Sequence, residues 1–415
     1  FIDQGGHLAK ARAAALVRGK ENGLDRATEQ RKVSLVRLQT EFENLQNAGQ
    51  PPTDAMKKLA GLTRITAAYC YPETGDIVIA GPAEPWIDDL SGRTVGIMTG
   101  RPTLLLEDMI VALRAYPERT DHRVFVGCTI NPRAEGLANL VRFQRTIPKV
   151  VPQHQRTTVT QQVASGVKKS LGNAEIKVFG ISPRTHFARV MLEADYRMKR
   201  MAVGVEAPPV RLKTYASALT TAGTGMLERW WFTPDYEGLR ASRDHLAMAL
   251  TGQGVQLQTE NKSIQENGAI VDAVEVSGAG RRRPNRATQM FATSFTKRYE
   301  DVAKASPVYA QLRQLTDMLI LSAYFRENDC YEKTDWSPEL FLDESLHAVN
   351  IHHQPRSADV VVNAFWKQNR LFVPAGGGVS IEAEQALRNA KFADEGPAAN
   401  KPVIPHNRGR AWWWD

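Results

Sequence analysis

Cysteine is scarce. Cys70, Cys128 and Cys330 are the only three in 415 residues, far apart, with no CxxC pair and no metal-ligand spacing. That argues against a disulfide framework of the kind that staples small secreted domains, and leaves open whether any two are bonded. Cys70 and Cys128 lie in strand-like runs, where a free cysteine behaves as a small buried hydrophobe. Long apolar runs are missing too, so no segment reaches the roughly 20 residues of a membrane-spanning helix. The first residues, FIDQGGHLAKARAAALVRGK, lack the basic-then-apolar layout of a signal peptide. The chain opens on Phe1 rather than Met, which leaves room for a leader already removed. No serine sits in a G-x-S-x-G setting, and no cysteine has a histidine motif beside it. Gly376-Gly377-Gly378 is followed by no Lys-Ser/Thr and is flanked by strand-like runs, so a tight turn is expected there, not a phosphate loop. No cofactor and no metal are indicated.

What is present is ordinary globular composition, 42% hydrophobic and 24% charged, which excludes a mainly disordered chain. The length exceeds what one core usually serves, so more than one domain is expected. The net charge of +8 is spread along the chain, and its main cluster is Arg281-Arg282-Arg283 with Arg286. Such a cluster reads as a solvated loop, as a contact with an acidic subunit or polymer, or last as a nucleic-acid site. No aromatics are interleaved with it, so specific nucleic-acid binding is not expected.

Taken in order, residues 7–18 are alanine-rich and helical. A longer helix is expected from Thr28 to Ala48, with Leu35, Leu38, Phe42 and Leu45 on one stripe, stopped by Gly49 and Pro51-Pro52. The stripe suits either packing on its own domain or a partner helix. Two strand-like runs flank Pro-Glu-Thr-Gly, a hairpin signal, and a second hairpin turns at Ser91-Gly92. Leu105–Ala115, the segment after Asn131-Pro132 and Thr158–Leu171 read as helices. Arg123–Ile130 and Glu175–Ile181 read as strands. Beyond an irregular stretch at 207–225 the period changes to two, predicting an antiparallel meander of four strands between Arg229 and Thr259. Two helices follow, the second opening at Ser306-Pro307, and AVNIHH (348–353) reads as a strand. The expected fold is α+β: a helical lead (1–60), an α/β, ferredoxin-like layer (61–215), a meander with a helix pair (216–390) and an extended tail (391–415).

The stretch from Lys177 to Glu206 is the most strongly patterned. Ser182-Pro183 is read as the helix start, and Phe187, Val190, Met191, Ala194 and Met198 make an apolar stripe. Glu193 can pair with Arg189 and Arg197 on another face. Gly61–Trp86, Ser182–Met201, Arg229–Ser242, Ser306–Ile320 and Phe372–Ile381 together resemble an uncharacterised family of exported planctomycete proteins, a domain of unknown function. The resemblance runs from about Lys32 to about Ile381 and implies an envelope or extracellular setting with a cleaved leader. It implies no reaction and no catalytic residue.

Candidate chemistry is sparse. His347 and His353 share a strand face while His352 points away, which makes a poor metal site. His186 and Asp195, nine apart on one helix and roughly 13 Å along its axis, cannot touch. Asp76, Asp88, Asp89 and Trp86, around the hairpins, are the first place to look for a site assembled from distant residues. Trp412, Trp413 and Trp414 carry more apolar surface than a soluble tail leaves bare, so they either fold back or anchor a neighbour. The expectation is a non-enzymatic envelope subunit of a homo-oligomer or of an assembly with other envelope proteins, with an acidic polymer as a further partner. The alternative is a hydrolase acting on an envelope polymer.

Overall fold

Helix α1 (His7–Asn22) forms where the alanine-rich sequence predicts it. The segment expected to be one helix from Thr28 divides instead into strand β1 (Thr28–Ser34) and helix α2 (Leu35–Asn47). Ser34 makes the change, because its Oγ accepts the Arg37 N–H at 3.0 Å and caps α2. Arg31 and Val33 both point inward with 0% exposure, a period of two that the stripe after them obscures. The stripe residues Leu35, Leu38 and Phe42 are buried in this chain's own core.

The computed structural model describes residues 6–116, 125–148, 151–219, 228–235, 237–259, 262–264, 270–272, 286–367, 370–372, 377–392, 399, 401–404 and 411–415. After α3 (Asp54–Lys57) come the hairpin β2 (Ala67–Tyr71) and β3 (Asp76–Ala83), then the hairpin β4 (Trp86–Asp88) and β5 (Thr94–Gly96), both where their turns predict. Next are α4 (Leu106–Ala115), β6 (Val126–Asn131), α5 (Ala134–Gln144), α6 (Arg156–Leu171), β7 (Asn173–Phe179), α7 (His186–Ala202) and α8 (Tyr215–Ala218). Helix α7 starts later than Ser182-Pro183 suggests. Thr185 is its cap, its Oγ1 accepting the Ala188 N–H at 3.2 Å, and Ser182 and Pro183 lie in the turn before it.

The remaining strands are β8 (Trp230–Pro234), β9 (Leu239–Ala241), β10 (Ala247–Leu250), β11 (Val255–Gln258), β12 (Lys262–Ile264), β13 (Ile270–Asp272), β14 (Ser357–Asp359), β15 (Phe365–Lys367), β16 (Arg370–Phe372), β17 (Gly377–Ile381), β18 (Lys391–Phe392) and β19 (Trp413–Trp414). Among them run α9 (Arg286–Lys297), α10 (Tyr299–Ala305), α11 (Pro307–Glu327), α12 (Cys330–Lys333), α13 (Glu339–Leu342) and α14 (Ala383–Arg388). One sheet has the order β18-β9-β10-β2-β3-β1-β19 and the other β11-β8-β17-β6-β7-β14.

The fold is α+β as expected, but the four segments do not separate the sheets. The first sheet draws on all four, and the second takes β6 and β7 from one segment and β8, β11, β14 and β17 from the next. The four strands read as a meander split the same way: β8 pairs with β11, while β9 and β10 form a hairpin against β2. Turn chemistry is local and marks the hairpins, whereas these partners lie far away in sequence. Gly377 and Gly378 are within β17, not in a turn. A side chain on Gly378 would come within 2.4 Å of the Cys128 carbonyl and 2.5 Å of the Trp231 ring, so glycine serves close approach. Gly376 lies outside the described residues. Residues 348–353 form no strand; the His352 N–H donates to the Arg184 carbonyl at 2.9 Å.

Helix α11 is buried on nearly every side and packs against α4, α7, α10 and α14. Some of its polar side chains are matched: Gln314 donates to the Thr63 and Pro102 carbonyls at 2.8 and 2.7 Å, and Arg313 pairs with Glu300. Burial raises the Asp317 pKa to about 6, with Arg64 and Arg313 pulling against it. Cys70 is not a free hydrophobe. It forms a disulfide with Cys330, Cα to Cα 6.1 Å, tying β2 to α12 across 260 positions. Cys128 is free and buried, and burial pushes its thiol pKa up. No described helix is long and apolar enough to cross a membrane.

Candidate functional site

Helix α4 opens with Glu107 and Asp108 in its first turn, where the helix dipole favours carboxylates. His186 opens α7, set by the Thr185 cap. The two helix starts meet: His186 Nδ1 lies 2.8 Å from Asp108 Oδ2. Burial lowers the imidazole pKa, but the charge and hydrogen bond of Asp108 outweigh it, and the net shift is upward. A second imidazole, His352, stands edge-on to the first with centroids 5.4 Å apart. Its Nε2 is 3.5 Å from Glu107 Oε2, which also accepts the Asn350 amide at 3.0 Å. Adjacent carboxylates thus back two facing histidines. With Nδ1 engaged, Nε2 of His186 is the nitrogen left for proton exchange, the orientation a histidine base needs.

Beside this cluster is a cavity of about 610 Å³ lined by Val111, Arg114, Ser182, Arg184, Thr185 and Glu344, among others. Arg114 donates to the Phe341 and His347 carbonyls at 2.8 and 2.6 Å. Burial lowers the Arg114 pKa, and Glu344 and Asp343 act the other way. Burial also lowers the pKa of His347, with Arg114 adding to the effect, and its ring packs on Phe42 at 4.8 Å. The cavity's hydroxyls hydrogen-bond to backbone groups. Ser182 Oγ accepts the Arg184 N–H at 3.3 Å, and Thr185 Oγ1 donates to the Ser182 carbonyl at 3.0 Å while capping α7. Among the described residues no cluster of three or more His, Cys, Asp or Glu is arranged to hold a metal ion.

The residues singled out by sequence do not gather here. Arg281, Arg282 and Arg283 lie outside the described residues. Trp413 and Trp414 form β19 on the edge of β1 in the same chain, and the Ser34 N–H donates to the Trp412 carbonyl at 2.8 Å. Arg31 binds Asp415 through Nε and Nη2 at 2.8 and 3.1 Å and lies 4.9 Å over the Trp413 ring. Of the two alternatives for the tryptophans, folding back is the one observed. The aspartates around the hairpins hold turns and caps: Asp76 accepts from Ser34 Oγ at 2.6 Å, Asp88 from Thr94 Oγ1 at 2.6 Å, and Asp89 from the Ser91 and Arg93 N–H groups. Asp195 pairs with Lys199 in the core at 2.8 Å, not with His186. Glu107 and Asp108 give no local signal of a site in the sequence, because an acidic first turn reads as a dipole effect, and His186 comes 78 positions after Asp108.

Comparison with known proteins adds one match. Residues 128–215 fit the model of a family described as protein of unknown function (DUF1598). On this fold the DUF1598 segment starts within β6 and runs through α5, α6, β7 and α7 to the start of α8, so it holds His186 but neither Asp108 nor His352. No curated protein and no solved structure matches the chain.

Proposed function

We propose that this chain is exported, its leader removed, and acts as a non-enzymatic subunit of a larger, homo-oligomeric assembly in the envelope or outside the cell. The observation that carries the reading is the Cys70–Cys330 disulfide. Such bonds persist in oxidising compartments and are rare where thiols are kept reduced. The resemblance to exported planctomycete proteins points the same way. Binding rather than turnover is supported by Arg114 and Thr185, which donate to backbone carbonyls. Leu346 and Ile351 stand exposed on the segment walling the cavity, apolar surface that a partner would cover. Arg184 would suit an acidic partner, including an acidic polymer.

Two measurements test this. Alkylation of the unfolded, unreduced protein should label Cys128 alone, and labelling of Cys70 and Cys330 would remove the compartment argument. Light scattering should give a multiple of the chain mass, and a monomer at every concentration would remove the assembly. A second reading, a hydrolase acting on an envelope polymer, is favoured by the two carboxylate-backed histidines. It requires that polymer cleavage be present and be lost in folded His186→Gln.

A further inference from the structure

The three tryptophans that fold back do more than close a sheet. With Trp86, two of them, Trp412 and Trp413, wall a second cavity, about 320 Å³, between α1, α3 and β19, and Glu41, Asp54 and Arg18 stand at its sides. That volume is at the small end of ligand pockets, which run from about 300 to 1,000 Å³.

Its aromatic walls are fixed before any ligand arrives. Trp86 donates its indole N–H to Asp54 Oδ2 at 2.8 Å. Its benzo edge rests on Gly61, where a Cβ would fall 2.8 Å from the ring. Trp413 is held by the β1 ladder, by Arg31 at 4.9 Å and by Gly23, whose Cβ would lie 3.5 Å from the ring tip. Trp86 and Trp413 stay half exposed, while Trp412 is buried at 8% exposure. Two wet indoles that lose no freedom on binding are preorganised stacking platforms.

The polar groups narrow the ligand. A cation would suit the carboxylates, but Arg31 already occupies the cation–π position over Trp413 and Arg18 adds positive charge at the rim. An anion would meet Glu41 and Asp54. An uncharged ring bearing hydroxyls meets both needs, since each hydroxyl donates and accepts. Glu41 and the second oxygen of Asp54 supply acceptors, and Arg18 supplies donors. We propose that this cleft binds a sugar ring of a neutral glycan, stacked on Trp86 and Trp413 with its hydroxyls on Glu41, Asp54 and Arg18. The site names a ligand class beyond the assembly reading and does not depend on it.

The test is titration of the full chain with hexamers of glucose and of N-acetylglucosamine, followed by tryptophan fluorescence and calorimetry. Tetramethylammonium and a hexuronate oligomer serve as charged probes. Saturable binding of a neutral hexamer is expected, weakened at least about tenfold in Trp86→Ala and by less in Trp86→Phe, which keeps a platform. If Trp86→Ala fails to fold, Glu41→Ala decides, since it removes an acceptor from the cleft wall and should weaken binding with melting unchanged. No saturation at millimolar neutral hexamer overturns the proposal, as does tighter binding of either charged probe or equal affinity in a folded Trp86→Ala. Light scattering on the same samples reads the assembly separately, so a failed titration leaves that measurement intact.

Discussion

Trp414 is the side chain on which the folded-back end depends most. It is 3% exposed and packs in one cluster with Tyr69, Tyr71, Val78 and Ile404. Emptying such an aromatic site costs about 3–5 kcal/mol, so Trp414→Ala should lower stability by that much. Trp413 is half exposed, and its loss forfeits mainly the Arg31 contact, about 0.5–2 kcal/mol. Asp415→Ala leaves the Arg31 guanidinium, 0% exposed, with only the Ala60 and Arg26 carbonyls. The Asp415 carboxylate is 40% exposed, so the loss should fall below the about 3–5 kcal/mol of a fully buried pair. Removing 411–415 combines these and should cost more than about 5 kcal/mol, a large part of a stability of about 5–15 kcal/mol. The assay is chemical denaturation of wild type, the three point variants and the truncation, with light scattering on each. Midpoints should fall furthest for the truncation, then Trp414→Ala, then Trp413→Ala, at unchanged mass. A truncated chain with the wild-type midpoint and a smaller assembly would refute the reasoning and return the tryptophans to a neighbour's surface.

Three further outcomes follow from particular contacts. Cys330→Ala should lose about 2–5 kcal/mol, reductant should do the same to wild type, and a reductant effect on Cys330→Ala would show that another bond is responsible. The folded-state pKa of His186 is raised above its ordinary 6.5, so its pairing with Asp108 stabilises fully below that value and is lost as pH rises through the folded pKa. Denaturation midpoints followed from about pH 5 to 8 should show that loss in wild type and not in Asp108→Asn; parallel curves would exclude the pair as the cause. Phe187→Ala should cost about 3–5 kcal/mol and Arg189→Ala under about 1 kcal/mol, and equal denaturant midpoints for the two would contradict the buried stripe.

Much of the element order was legible because it is local. The stripe from Phe187 to Met198, the Pro-Glu-Thr-Gly turn and the Ser91-Gly92 turn each carry their instruction within a few residues, and each formed. Pairing was not legible. Nothing near Trp413 names Val33 as its partner, and nothing near Cys70 names Cys330. The histidine cluster is illegible for the same reason, since Asp108, His186 and His352 come from two helices and an irregular segment far apart in sequence. β1 is hidden in the sequence because Leu35, Leu38 and Phe42 project a helical period backward onto Thr28–Ser34, where a buried arginine breaks hydrophobic patterning.

The pairing of β19 with β1 also sets a timetable. Arg31 meets its carboxylate across 384 positions, so β1 emerges early in synthesis and waits for a partner made much later. During that interval β3 can cover one side of β1, while its other edge offers free N–H and C=O groups to any passing strand. Contacts so distant in sequence are slow to form and leave such edges open longest. A ribosome-bound chain halted before β19 is therefore expected to self-associate unless a chaperone holds it, and to stop doing so once Trp414 has left the ribosome and can reach β1. Equal association of chains halted on either side of that point would place the exposed surface elsewhere.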